Sequence, residues 1–189
     1  MTRVELRDVT AEDSARLLAW RNSPAVAPFM YTDRPITAEE HARWFASAPH
    51  DPRRRYWIIE ADAEPVGLAN LYDIDADHRR CAWAYYLAEP STRGKGVGAF
   101  VEYSVLEHVF EALKLNKLWC EVLADNEAVW RLHQSFGFQV EARLRDHIRR
   151  PDGFREVLGL GLLREDWHAV RPACRERLVA KGFTPPSIG

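Results

Sequence analysis

The feature that most constrains this chain is a glycine-rich turn, Arg93-Gly94-Lys95-Gly96-Val97-Gly98, set between two apolar segments of different period. Before it, Cys81-Ala-Trp-Ala-Tyr-Tyr-Leu87 reads as a strand. After it, Val97, Phe100, Val101, Val105, Leu106, Val109 and Leu113 recur at helical spacing and predict a helix of about four turns. A strand that passes through glycines into a helix commits the chain to a mixed α/β arrangement. It also leaves unpaired amides at the positive end of the helix, where an anion can bind, and glycine lets that backbone come close to a phosphate. By itself such a turn can equally be structural. It is not a P-loop, because no Gly-Lys-Ser/Thr follows at the required spacing, and it does not fit Gly-x-Gly-x-x-Gly.

The rest of the chain agrees with an α/β order. Val4 to Leu6 is a short strand, and Thr10 with Asp13 opens a helix through Leu17, Leu18 and Trp20 that Pro24 and Pro28 interrupt. Thr37-Ala-Glu-Glu40 has the form of a capping box and starts a helix through Ala42, Trp44 and Phe45. Runs at 56–59, 66–72 and 81–87 predict an antiparallel meander, and a further strand follows at 118–123. Ala128, Val129, Leu132 and Phe136 mark a helix ended by Gly137. Phe138 to Ile148 and Phe154 to Leu163 read as long strands joined across Pro151-Asp-Gly153. With 189 residues, a single domain over 1–167 is expected, with a basic appendage at 168–189 that packs or stays flexible and carries no chemistry.

Charge narrows the partners. Twenty-six basic against 28 acidic side chains leave a net charge of −2, so nothing global attracts nucleic acid or a membrane surface. Three cysteines, Cys81, Cys120 and Cys174, are too scattered for a disulfide framework or a thiolate zinc site. His78 and His147 are isolated, so no metal is expected. The charged N-terminal residues and the shortness of the longest apolar run, Val157 to Leu163, lead to the expectation of a soluble, cytoplasmic protein. Arg53-Arg54-Arg55 and Arg149-Arg150 read as solvated loop faces.

A second motif, Asn126-Glu-Ala-Val-Trp-Arg-Leu-His-Gln-Ser-Phe-Gly-Phe138, makes the reading specific. Together with the glycine loop it resembles the GNAT superfamily of N-acetyltransferases, whose pyrophosphate loop reads Arg/Gln-x-x-Gly-x-Gly/Ala and whose later helix follows Asn…Tyr…Gly-Phe. Arg93, Gly96 and Gly98 match the loop; Asn126, Gly137 and Phe138 match the helix. The resemblance implies an α/β GNAT fold: a twisted, mostly antiparallel sheet with helices on both faces, opened between the strands at 82–87 and 118–123. It implies acetyl-CoA as cosubstrate, bound by Arg93, Gly94, Lys95, Gly96, Val97, Gly98 and Asn126. Tyr86 and Leu87 would lie along the thioester, and acetyl would pass directly to the amine of a small molecule. The sequence departs from the pattern at His133, where the family commonly has the tyrosine assigned as proton donor to the CoA thiolate. Asn126 and His133 share a helix face about 10 Å apart, and a solvent-facing histidine is the plain alternative to a catalytic one.

Glu121 stands in the middle of an apolar strand, where a carboxylate is costly unless it is paired, hydrated or used as a base. In the N-terminal third, Trp20-Arg21-Asn22-Ser-Pro24, Phe29-Met30-Tyr31 and Glu39-Glu40-His41 with Trp44 resemble the nucleotide-sugar N-acetyltransferases of pseudaminic acid biosynthesis. That resemblance implies a substrate pocket of Arg21, Met30, Tyr31, His41 and Trp44, acetylation of the 4-amino group of a UDP-linked amino sugar, and Glu121 activating the amine through water. The same residues also fit the core sides of two amphipathic helices. A polyamine or protein N-terminus as acceptor, and a catalytically silent acyl-CoA-binding module, stay open, as does homodimerisation.

Overall fold

The computed structural model describes residues 2–186. Its strands are β1 (Val4–Asp8), β2 (Arg55–Ala61), β3 (Glu64–Asp75), β4 (Arg80–Leu87), β5 (Lys117–Leu123), β6 (Gln139–Arg150) and β7 (Gly153–Leu163). They form one seven-stranded sheet in the order β1-β2-β3-β4-β5-β7-β6. Every neighbouring pair is antiparallel except β4 with β5. Those two strands pair only at Arg80↔Lys117, Cys81↔Leu118 and Ala82↔Trp119. Beyond Ala82 and Trp119 the pairing stops, and the sheet opens into a wedge between 83–87 and 120–123.

Five helices cover the sheet: α1 (Ser14–Arg21), α2 (Ala38–Ser47), α3 (Val97–Glu107), α4 (Glu127–Ser135) and α5 (Arg164–Ala180). Residues alternating along β2 fall into different cores, as expected for a strand buried on both faces. Trp57 and Ile59 join the larger core with Phe100, Val101, Val105 and Leu106 of α3. Tyr56 and Ile58 join the smaller one with Leu17 and Trp20 of α1 and Val26. The capping box at α2 forms, since Glu40 N donates to Thr37 Oγ1 at 3.2 Å and Thr37 N to Glu40 Oε2 at 3.0 Å. Thr10 and Asp13 also form a box, but it opens a single 3₁₀ turn at Ala11–Asp13, from which α1 continues. The helix after the glycine loop runs to Glu107 and widens into a π turn at His108–Ala112.

The division expected between 167 and 168 falls inside α5. Trp167, Cys174 and Leu178, with Phe183 beyond the helix, are buried in the same core as α3, so residues 164–183 belong to the domain. Within the helix Trp167, Cys174 and Leu178 are seven and four residues apart and form an apolar stripe, and the charged residues between them give the segment its basic look. Residues 187–189 of the expected appendage, like Met1, lie outside the described residues. No described helix is long and apolar enough to cross a membrane.

Candidate active site

The glycine loop takes a shape that its residues require. Gly94 at φ +74° and Gly96 at φ +80° are left-handed, the region where side chains are strained, and Gly96 caps the N-terminus of α3. Arg93, Gly94 and Lys95 are exposed, whereas Val97 is buried and fixes the helix to the core. A Cβ at Gly98 would lie 3.1 Å from the Tyr85 hydroxyl and 3.6 Å from Leu132, so α3, β4 and α4 meet at this point. A Cβ at Gly96 would lie 2.8 Å from the Phe183 ring, so the C-terminal segment packs directly behind the loop. The first amides of the 11-residue α3 have no intrahelical acceptor and follow directly on Arg93 and Lys95 in the chain.

Glu121 lies on β5 just past the point where the sheet divides. Its carboxylate accepts from the Tyr31 hydroxyl and, at 3.4 Å, from Trp119 Nε1. Trp119 is two residues away on the same face, and its indole lies over Gly159, the residue opposite Glu121 on β7. A side chain at Gly159 would overlap that ring, so the glycine makes room for the group that orients Glu121. Tyr72 is a further aromatic neighbour; its hydroxyl is pushed up to about 12 by burial, with the Glu121 charge adding to the effect. Burial, and then the bond to Glu121, likewise raise the Tyr31 hydroxyl above its ordinary value and keep it a donor.

Tyr31 reaches β5 because the segment carrying it is tied down. Arg150, at the end of β6, donates to the carbonyls of Met30, Tyr31 (3.1 Å) and Pro28 (3.4 Å) and lies 3.4 Å from Asp33. Read from sequence as a solvated charge, Arg150 is buried at 9% exposure, because four oxygens of the 28–33 segment replace its water. Arg21, at the end of α1, donates to the Thr32 carbonyl at 2.8 Å. Its other terminal nitrogen, Nη1, is buried with no partner among the described residues, and desolvation lowers the pKa of the group. The cleft beside this segment, about 440 Å³, is lined by Pro28, Phe29, Asp33, Leu123, Arg150 and Arg155 among others. Arg150→Met should free the segment while sparing the sheet. The expected outcome is faster proteolysis within 28–33, with the thermal unfolding of the sheet little changed.

The other sequence-derived candidates divide. Tyr86 and Leu87 lie on the free end of β4, with Tyr86 edge-on to Trp20 at 6.4 Å. Asn126 caps α4, and its side chain makes no capping bond. Met30 packs against the smaller core. His41 and Trp44 are not brought to Tyr31 and Glu121. His41 is buried between α1 and α2 with Nε2 3.1 Å from Ser14 Oγ, and Trp44 packs edge-on against Tyr56 at 5.5 Å. Their shared helix face turns to the core. His133 does not face solvent: it is 3% exposed, with Nδ1 2.9 Å from Glu102 Oε1.

The acetyltransferase (GNAT) domain family matches residues 3–139. The chain belongs to this family. Among curated GNAT relatives, acetyltransferase PseH of Campylobacter jejuni is 28% identical over 133 residues, covering 70% of this chain and 81% of that protein. Spermidine N(1)-acetyltransferase of Escherichia coli K12 is 27% identical over 166 residues, covering 88% and 89%. Among solved structures, the Vibrio cholerae spermidine N-acetyltransferase in complex with CoA and spermine superposes with a TM-score of 0.81 at 20% identity, covering 88% of this chain and 98% of that one. The chain is thus a GNAT N-acetyltransferase with the GNAT architecture.

Within this GNAT frame, sequence reasoning missed Arg150, Trp119, Gly159 and Glu102. For two of them a signal was present. Gly159 and Gly161 interrupt an apolar strand, which marks a close approach, and Glu102 sits inside the apolar run of α3. Nothing local marks Arg150, whose partners lie about 120 residues away.

Proposed function

We propose that this chain transfers the acetyl group of acetyl-CoA to the primary amine of a nucleotide-linked amino sugar. Support for the cosubstrate comes from the loop: Gly94 and Gly96 take the left-handed backbone that turns the chain into α3, and Arg93, Lys95 and the first amides of α3 present positive charge to a diphosphate. Asn126 and the free ends of β4 and β5, including Tyr86 and Leu87, would accept the remaining length of the molecule. The thioester supplies an activated carbonyl. Glu121, directly or through water, takes the proton of the substrate ammonium and so makes the amine a nucleophile, while binding both partners side by side supplies much of the acceleration.

One observation carries the choice of acceptor: the 28–33 segment, held by Arg150, sets the Tyr31 ring beside Glu121, and the unpartnered Nη1 of Arg21 is buried close by. An aromatic face and spare guanidinium donors suit a base and its phosphates. A polyamine would instead need unpaired carboxylates. Those near the cleft are taken, Asp33 by Arg150 at 3.4 Å and Asp125 and Asp152 by Arg155 at 3.7 and 2.6 Å. The greater coverage of the spermidine relatives makes spermidine the comparison that matters.

Thiol release from acetyl-CoA, with UDP- and dTDP-amino sugars and spermidine as acceptors, tests the reading. UDP should compete with the amino sugar. Tyr31→Ala should weaken that competition by about 1–3 kcal/mol, the scale of base–aromatic stacking, whereas Tyr31→Phe should retain it. Efficient acetylation of spermidine, with no inhibition by millimolar UDP, would replace the nucleotide sugar with a polyamine.

A further inference from the structure

Glu102 has no exposed surface, yet it stands in α3 among Phe100, Val101, Tyr103 and Val105. A carboxylate there is tolerated only if something meets its charge. That group is His133 of α4, whose Nδ1 lies 2.9 Å from Oε1; Oε2 has no partner among the described residues. The imidazole is enclosed by Trp83 at 5.3 Å, Phe138 at 5.3 Å and Tyr85 at 6.3 Å. Trp83 and Tyr85 belong to the free end of β4, and Cys120, which also faces His133, is the first residue of β5 beyond the last pairing. Tyr85 in turn touches Gly98 in the loop. The pair therefore stands under the wedge, between the anion-binding loop and the site of Glu121. Cys120 and Glu121 are adjacent on one strand and point to opposite faces, so His133 and Glu121 flank the wedge from opposite sides.

We infer that Glu102 is the positioning residue that holds His133 as the proton donor to the thiol released in acetyl transfer. This rests on the acetyl-transfer reading above. As the C–S bond breaks, its electron pair stays on sulfur, the Nε2 proton of His133 moves to that sulfur, and the neutral imidazole is reprotonated from solvent as the product leaves. A tyrosine at this position would be a neutral donor at any physiological pH. A histidine with an ordinary value near 6.5 would be largely spent above neutrality, so the exchange requires a buried carboxylate beside it. Charged and titratable neighbours from each packed element are Glu102 of α3, Tyr85 of β4 and Cys120 of β5. Behind Glu102 lies Cys174 of α5, itself 3.2 Å from Arg177. Burial pushes His133 down, but Glu102, with help from Cys120, outweighs it and lifts the imidazole to about 10. Because that value is raised on folding, the contribution of His133 protonation to stability is present below about pH 6.5 and is lost as pH rises through the folded value.

Heteronuclear NMR of the histidine rings in the free enzyme, paired with steady-state kinetics, tests this. In the wild type, His133 should remain an imidazolium up to about pH 9. Glu102→Gln should drop its midpoint by about 3 units or more and move the alkaline limb of kcat downward with it. At about pH 8 kcat should fall roughly tenfold, with KM for acetyl-CoA within about twofold. Glu102→Gln combined with His133→Tyr should recover most of the rate, because a phenol needs no carboxylate to keep its proton. If Glu102→Gln does not fold, Glu102→Asp, which keeps the charge one methylene further back, should lower the midpoint and kcat together by smaller amounts. A wild-type His133 that is neutral at pH 7 in an active transferase overturns the donor role alone. So does a lowered midpoint with an unchanged rate. An enzyme that acetylates no amine while His133 stays charged overturns the underlying activity and the donor role with it.

Discussion

Replacing Glu121 with glutamine is expected to lower kcat for acetyl transfer by roughly 10²–10⁴-fold, the usual loss on removing a general base, while KM for acetyl-CoA barely moves. The substitution isolates basicity because the surroundings of Glu121 can stay as they are. The amide oxygen can still accept from the Tyr31 hydroxyl or from Trp119 Nε1, and Gly159 still leaves room for the indole. What is lost is the capacity to take a proton from an ammonium group. Initial rates over a pH series, with both substrates varied, check it. A variant with raised KM and intact kcat would make Glu121 a binding group, and the base would have to be sought elsewhere in the wedge.

The parts of the site written in consecutive residues were legible, and those assembled across the sheet were not. Gly94 and Gly96 announce their left-handed backbone through residue type alone, and the capping box at Thr37 and Glu40 is a four-residue pattern. The opening between β4 and β5 followed from resemblance and is visible in a pairing that ends at Ala82 and Trp119. Helical spacing correctly put His41 and Trp44 on one face, but it carries no information on whether that face meets a ligand or Tyr56. In the same way, a shared face for Asn126 and His133 could not reveal that the histidine turns inward to Glu102, 31 residues earlier. Arg150 is the extreme case. Its partners are backbone carbonyls, which have no residue identity to read, and only the folded chain brings them within reach. The C-terminal helix was obscured for a different reason: the arginines between Trp167, Cys174 and Leu178 dominate its composition, while the stripe that packs depends on only a few positions.

Gly96→Val is expected to reduce acetyl-CoA affinity by about 10- to 100-fold with the sheet intact. Two separate costs converge on this residue. At φ +80° an L side chain is strained by roughly 1–2 kcal/mol, and a β-branched one is the least tolerant, which alone amounts to about a tenfold loss if the free loop relaxes and the strain must be restored on binding. In addition, the new Cβ would approach the Phe183 ring at 2.8 Å and Phe183 cannot simply swing away, because it is itself buried against Phe100 at 5.4 Å. The loop must therefore move off the end of α3, and its amides lose their aim at the diphosphate. Calorimetry with CoA separates the two costs. Gly96→Ala combined with Phe183→Ala removes the clash and keeps the backbone strain, so it should recover part of the loss but not all of it. If Gly96→Val binds CoA as well as the wild type does, the amides of this loop do not hold the diphosphate and the cosubstrate must enter elsewhere. Full recovery in the double variant would assign the loss to the packing of the C-terminal segment, leaving the left-handed turn without a part in binding.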